Sequence, residues 1–181
     1  MSAEDLGVSE EAGLLAFWQW AYSDLRSNTI RPMLAEFLVG KALGCLGPYR
    51  REWVAWDFMF DGKKIEVKSA GYVQSWDQPA PSNITFSIAA ARNAYGEDQV
   101  TLIGPGRHAD IYVFCVHTEL DRELARRHDL EAWTFYVVPT FALEAAAGSQ
   151  KSLSLARLSK LATPSTWGDL KQSVTAAIVG L

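Results

Sequence analysis

The feature that most constrains the fold is an Asp61-Gly62 pair between two runs of strand-forming residues. Asp-Gly is a favoured two-residue turn of a β-hairpin, because both positions must adopt a positive φ. The sequence therefore predicts an aromatic strand over residues 53–60 that turns back into a second strand over residues 64–70. A two-residue turn also fixes which residues face one another across the hairpin.

In this register Phe58 faces Ile65 and Asp57 faces Glu66, so the hairpin acquires one apolar face and one charged face. We expect Asp57, Glu66 and Lys68 on the charged face, and Trp56, Phe58, Ile65 and Val67 on the apolar face.

Two carboxylates that face each other repel, and a bound Mg²⁺ or Mn²⁺ would remove that repulsion. A lysine beside the cation can orient or deprotonate a water and stabilise charge that develops on a phosphate. The alternative is a solvent-facing hairpin on which Lys64 or Lys68 pairs with the acids.

A second acidic residue precedes the hairpin, on a helix that we predict over residues 30–43, with Asn28 or Thr29 as its cap and Gly44 as its end. This helix is apolar nearly all round, which indicates burial on most faces. Glu36 lies among these apolar residues and requires a cation, a metal-bound water or a lysine nearby. The alternative is that Glu36 emerges in a polar gap or pairs with Arg31 or Lys41.

The remaining periodicities predict an α/β domain with a mixed central sheet flanked by helices. We expect one domain over residues 1–181, in which residues 1–28 form an N-terminal helical extension. Further helices are predicted over 9–26, 120–128 and about 165–178, and further strands over 84–88, 111–117 and 133–138.

The formal net charge of −4 does not exclude a nucleic-acid partner, because the acids are concentrated at the N-terminus. Residues 1–24 carry five acids and no basic residue, whereas residues 26–51 and 145–168 carry basic clusters. The apolar content of 49% excludes a disordered chain, and no apolar run is long enough to predict a membrane partner. The two isolated cysteines and an N-terminus without a basic region predict a reduced, cytoplasmic protein.

The helix and hairpin together resemble the PD-(D/E)XK nucleases, the restriction-endonuclease-like superfamily. The corresponding segments read LAEFLVGKALG, WVAWDFMF and KKIEVKSA, and the resemblance covers residues 30–70. Trp56 stands where the motif has proline. The resemblance implies a restriction-endonuclease-like αβββαβ core.

In this resemblance Asp57 and Glu66 are metal ligands, the Val67 carbonyl completes the metal shell, and Lys68 is the catalytic lysine. Glu36 acts in the outer shell or binds a second metal, and Ser69 or Gln74 assists. The implied activity is Mg²⁺- or Mn²⁺-dependent hydrolysis of DNA phosphodiester bonds, of a restriction, repair or mobile-element type. Because one such domain covers little DNA, a homodimer is one expected way to cut both strands.

Several side chains outside the motif are candidates for nucleic-acid contacts: Arg31, Tyr72, Trp76, Arg157 and Lys160. The loop aromatics among them have the alternative of packing on their own domain. Two other functions remain open for the whole chain. One is a nucleic-acid-binding or protein-interaction module that kept the nuclease fold without catalysis, and the other is a metal-dependent enzyme acting on a different phosphate ester.

Overall fold

The structure is a computed structural model, and it describes residues 13–181. Its elements in chain order are α1 (Leu14–Tyr22), α2 (Ile30–Leu43), β1 (Phe58–Phe60), β2 (Lys63–Gly71), β3 (Thr85–Ser87), β4 (Ala94–Tyr95), β5 (Leu102–Ile103), β6 (Ile111–His117), β7 (Trp133–Pro139), α3 (Thr140–Ala147), β8 (Ser152–Ser154), α4 (Leu155–Leu158) and α5 (Leu170–Val179).

A four-stranded sheet in the order β1-β2-β6-β7 forms the centre of the fold. The pairs β1/β2 and β6/β7 are antiparallel, whereas β2 and β6 are parallel. The predicted mixed sheet with flanking helices is therefore confirmed.

The hairpin turn forms as the sequence predicts. Phe58 pairs with Ile65 and Phe60 with Lys63, and the turn residues Asp61 and Gly62 have φ of 48° and 73°. The first strand is shorter than predicted, because the chain before Phe58 bends instead of continuing the ladder.

The bend moves one aromatic residue to the opposite side of the sheet. Trp56 was expected beside Ile65 and Val67, but it packs with Tyr112 and Phe114 on the other face. The Lys64 ammonium lies 4.3 Å from the centre of the Trp56 ring, a cation–π contact. This placement of Trp56 is the correction to the predicted apolar face.

Both faces of the sheet are covered. On one face, α2 and α5 pack on alternate residues of β2, β6 and β7, including Ile65, Val113 and Phe135. On the other face, β3, β8 and α3 pack on the intervening residues, including Phe114 and Val138. The strand predicted at 84–88 is present as β3, but it pairs with β8 outside the central sheet.

Helix α2 has the predicted bounds and ends at Gly44, whose φ of 75° is the left-handed conformation that glycine favours. Thr29 occupies the N-cap position without a capping hydrogen bond from its side chain. Gly40 allows the helix to approach the hairpin closely, because a Cβ there would lie 2.6 Å from Leu46 and 2.9 Å from Phe58. This contact brings Glu36 and the start of β1 to the same end of the sheet.

The predicted helix over 120–128 is wrong, since only a 3₁₀ turn, Leu124–Arg126, forms there. The Asp121 carboxylate accepts the N–H groups of Glu123 and Leu124, and the Glu119 carboxylate accepts that of Leu120. These local side-chain contacts compete with helical hydrogen bonds.

The last helix begins at Leu170, later than the predicted Ser165 or Thr166. The backbone of Ser165 exchanges two hydrogen bonds with Phe135, at 3.0 and 2.8 Å, and so extends the sheet instead.

Helix α1 begins at Leu14 within the predicted span 9–26, and residues 9–12 lie outside the described part of the chain. None of its nine residues is buried. None of the helices formed by residues 13–181 combines the length and apolar character that crossing a bilayer requires.

Candidate functional site

The Asp57 carboxylate lies at the end of β1, where it replaces a backbone partner in the sheet. Its Oδ2 accepts the Val67 N–H at 2.7 Å, and the Asp57 N–H donates to the Ile65 carbonyl at 2.9 Å. Ile65 is also the register partner of Phe58, so the ladder shifts by one residue there, as in a β-bulge. The predicted direct opposition of Asp57 and Glu66 is therefore replaced by a contact between the Asp57 side chain and the next residue of β2.

Glu66 and Lys68 project from β2 towards the sheet face that carries Trp56, since they alternate with the buried Ile65 and Val67. The Lys68 ammonium donates to Glu66 Oε1. Both side chains are partly accessible, with 18% of Glu66 and 32% of Lys68 exposed. The alternative prediction is that Lys64 or Lys68 pairs with the hairpin acids. Lys68 does so, whereas Lys64 lies over the Trp56 ring.

Glu36 reaches the same region from α2, on the opposite side of the sheet. Its carboxylate accepts two hydrogen bonds from the Arg50 guanidinium, at 2.6 and 2.8 Å, and its side chain is only 12% exposed. Arg50 also contacts Glu52 at 3.0 Å. Glu36 is therefore paired, but with Arg50 and not with the predicted Arg31 or Lys41.

The acidic residues and the lysine line one cavity of about 500 Å³ at this end of the sheet. Asp57 lies between the two faces, so that Glu36 approaches from one side and Glu66 with Lys68 from the other. The cavity walls include the predicted residues Glu36, Asp57, Glu66, Val67, Lys68 and Ser69.

Burial, together with nearby negative charge, raises the pKa of Asp57 to about 8. Burial is the largest cause, followed by the charges of Glu66 and Glu36, and the Val67 N–H and Lys68 only partly oppose them. The same field reaches neighbouring groups: burial and Glu66 raise the pKa of Tyr112 to about 12, and burial with the Asp57 charge raises that of the Cys115 thiol. An excess of negative potential at Asp57 favours a cation there.

The donor chemistry of these residues fits a hard divalent cation. Asp57 and Glu66 provide carboxylate oxygens, which Mg²⁺ and Mn²⁺ prefer. The Val67 N–H points towards Asp57, on the β1 side of β2. The N–H and C=O of one strand residue point in the same direction, so the Val67 carbonyl also points to the β1 side.

Across residues 13–181, however, no three His, Cys, Asp or Glu side chains are already grouped as a metal site. Glu66 contacts Lys68 and Glu36 contacts Arg50, so within residues 13–181 Asp57 is the acid of the three without a basic side-chain partner.

The two predicted accessory residues differ. Ser69 lines the cavity, and its buried hydroxyl has no hydrogen-bond partner in the described part of the chain. Gln74 does not line it: its side chain is buried, donates to the Gly71 carbonyl at 2.8 Å and accepts from Arg31 at 2.8 Å. The assisting role of Gln74 stays a prediction, and in this structure both ends of its amide hydrogen-bond within the fold.

Arg31, predicted as a nucleic-acid contact, is also buried within the fold. It is 4% exposed, and its guanidinium donates to the carbonyl of Arg26 and to Gln74. The missing side chain of Gly71 makes room for it, because a Cβ there would lie 3.1 Å from Arg31 Nε.

The other predicted nucleic-acid contacts lie outside the cavity. Trp76 is 54% exposed, whereas Tyr72 packs partly against the core, as in the alternative for loop aromatics. Arg157 is held by Gln150 and by the Ala146 carbonyl, so its donors already have partners within the protein. Lys160 is exposed.

Among the cavity-lining residues that the sequence reasoning did not assign to the site are Arg50, Arg51 and Trp53. Arg51 contacts Glu97 at 3.4 Å, and Trp53 is 82% exposed with a φ of 64°. The signal available was an Arg-Arg pair within a few residues of Asp57, which places two cations beside the expected phosphate site. Comparison with known proteins finds no matching family model and no curated protein with a similar sequence.

Proposed function

We propose that the chain is a metal-dependent nuclease that hydrolyses phosphodiester bonds in DNA, of the restriction-endonuclease-like type that its sequence resembles. The observation that carries this proposal is the shared cavity of Asp57, Glu66 and Lys68, in which the Asp57 carboxylate is fixed by the Val67 N–H. These two acids and the lysine line the same cavity, although Asp57 directly precedes β1 and the other two lie on β2.

The order of the helices and strands supports the assignment of the restriction-endonuclease-like fold in part. Helix α2 leads into the β1/β2 hairpin, and β6 then lies parallel to the second hairpin strand. The implied αβββαβ core would also have a helix before its last strand, where residues 118–132 contain only a 3₁₀ turn. The acidic helix and hairpin therefore support the assignment more strongly than the later elements do.

Each residue has a role that its position allows. When bound, Mg²⁺ or Mn²⁺ would be held by Asp57, Glu66 and the Val67 carbonyl, and it would supply a Lewis acid that lowers the pKa of water. The Lys68 ammonium, exposed to the cavity, can orient a water and donate to a phosphate oxygen. Hydrolysis forms one bond from the water oxygen to phosphorus and breaks the P–O bond to the leaving sugar, which takes up a proton. Glu36 fixes Arg50, which lies where the flanking phosphate charge would be.

The test is cleavage of plasmid and linear DNA by the full chain in Mg²⁺ or Mn²⁺. Asp57→Asn and Lys68→Met should each abolish or strongly reduce cleavage. The matched controls are Asp61→Asn, at a turn position that asparagine also favours, and Lys63→Met, on the same strand outside the cavity; both should cleave like the unaltered protein. Cleavage that survives both cavity substitutions would contradict the proposal.

One observation favours the second candidate, a nucleic-acid-binding module without catalysis. Glu36 and Glu66 are each paired with a basic side chain, so the charges already balance in part without a metal. In that case DNA binding would not depend on Mg²⁺, and no nicked or linear product would appear.

A further inference from the structure

A second cavity of about 610 Å³ adjoins the carboxylate cavity on the side of α2. More than half of its wall is apolar, with Met33, Phe37, Tyr49, Phe58 and Met59 among the lining residues, and Glu97 is one of the charged residues that complete it. This volume lies within the range of about 300–1,000 Å³ that is typical of sites for organic ligands.

The two cavities meet at the acidic cluster. Four residues line both of them: Glu36, Arg50, Arg51 and Asp57. A ligand that fills the apolar cavity therefore has its polar end beside Asp57, where the reacting phosphate is proposed to lie. With a divalent cation held at Asp57, this arrangement suits a molecule that is aromatic at one end and anionic at the other.

The aromatic wall is accessible to such a ligand. Tyr49 is 71% exposed and Phe37 47% exposed, although both are large side chains beside a cavity. Aromatic side chains of this kind provide surfaces on which nucleobases stack, whatever the base.

One of the two basic residues at the junction is held by contacts that a phosphate can replace. Arg51 contacts the Glu97 carboxylate at 3.4 Å and donates to the Glu97 carbonyl at 3.1 Å, and the Glu97 side chain is 53% exposed. Such an exposed pair contributes little to stability. Arg51 can therefore turn to a phosphate without a large loss in the protein.

We infer that the apolar cavity receives an unpaired nucleobase, with the phosphate of the same nucleotide in the carboxylate cavity. A base in a duplex is stacked and paired and cannot enter the cavity unless it is extruded. The substrate class is therefore single-stranded, terminal or extruded nucleotides in preference to continuous duplex. This inference rests on the proposed function for the position of the phosphate, but it concerns binding and not cleavage.

The experiment measures binding of the full chain to two fluorescein-labelled DNAs by anisotropy, one a single-stranded 12-mer and the other a blunt duplex of the same sequence. Lys68→Met is present throughout, in Mg²⁺, so that cleavage does not consume the DNA. We expect tighter binding to the single strand. Phe37→Ala and Tyr49→Ala should each weaken that binding by about tenfold, as expected for loss of one base-stacking surface. Phe141→Ala is the matched control, because Phe141 is 58% exposed on α3 and lines neither cavity, and it should have no effect.

A second measurement separates loss of stacking from misfolding. A 2-aminopurine in the single strand should change fluorescence on binding, and Phe37→Trp, which keeps an aromatic surface, should retain affinity that Phe37→Ala loses. Equal affinity for both DNAs, or binding that Phe37→Ala and Tyr49→Ala leave unchanged, would overturn the inference. Either outcome would still be compatible with the proposed nuclease activity if the unaltered protein cleaves DNA. Conversely, selective single-strand binding by a chain that never cleaves would overturn the nuclease and retain the base site.

Discussion

The electrostatic cost of Asp57 predicts that a neutral side chain there makes the protein more stable. In Asp57→Asn the amide oxygen can still accept the Val67 N–H, so the substitution removes the charge and keeps the hydrogen bond. The pKa of about 8 in the folded protein lies well above the ordinary value of 3.8 for aspartate. The folded state therefore holds a proton that the unfolded chain releases, and stability is lost as the pH rises from about 4 towards 8.

The size of the effect follows from the pH interval. At about 1.4 kcal/mol per pH unit, the three units between pH 4 and pH 7 correspond to an upper value of about 4 kcal/mol. Water in the open cavity screens part of this charge, so we expect Asp57→Asn to be more stable by about 1–3 kcal/mol at pH 7. At pH 4, close to the ordinary pKa of 3.8, the difference should fall below about 1 kcal/mol, and it should vanish below about pH 3, where the aspartate is neutral in both states.

Urea unfolding in EDTA, from pH 4 to pH 8, measures this difference directly. Asp61→Asn is the control, because it makes the same chemical change at an exposed turn residue outside the cavity. Titrations of groups that do not interact with Asp57 cancel when each variant is compared with the unaltered protein. A difference for Asp57→Asn that is constant across the range, or a loss of stability at pH 7, would refute the electrostatic reasoning.

Three other predictions follow from the same geometry. Mg²⁺ should stabilise the unaltered protein by about 1.4 kcal/mol for each tenfold excess over its Kd, and Asp57→Asn should lose most of this gain in thermal unfolding. Trp53→Gly should raise the free energy of unfolding by about 1 kcal/mol, because it relieves a φ of 64°, whereas Trp53→Ala, which keeps the strain, should not; equal effects would contradict this explanation. Arg31→Met should cost about 2–4 kcal/mol in urea unfolding, because the Gln74 amide and two backbone carbonyls lose their donor; a stable variant with weakened DNA binding would instead support the original surface role of Arg31.

The local parts of the fold could be predicted from the sequence because their signals are short in range. The Asp61-Gly62 turn and the glycine that ends α2 both fix a backbone conformation by residue type alone. The register from Phe58 to Phe60 follows from that turn. The prediction failed one residue beyond the ladder, at Asp57, because the bulge there depends on how the Asp57 side chain replaces a backbone partner of Val67.

The site residues on the helix and the hairpin could be predicted from the sequence. Those in irregular loops could not. Glu36, Asp57, Glu66 and Lys68 were identified from the motif and line one cavity. Arg50, which pairs with Glu36, lies in a loop whose path no periodicity describes. Burial of the polar loop residue Gln74 was also beyond sequence reasoning, because its partner Arg31 comes from a helix more than forty residues away.

The parallel pairing of β2 with β6 has a consequence for how the protein reaches its folded state. About 40 residues separate Gly71 from Ile111, and no helix forms in this connection. Helix α2 and the hairpin are contiguous in the chain, so their contacts close short loops, whereas the β2/β6 ladder closes a long one and incurs a larger entropy cost. Glu66 and Lys68 project from the strand that joins these two steps. The hairpin can thus form early. The sheet that supports Glu66 and Lys68 is complete only after β2 pairs with the distant strand β6, which is the slower step.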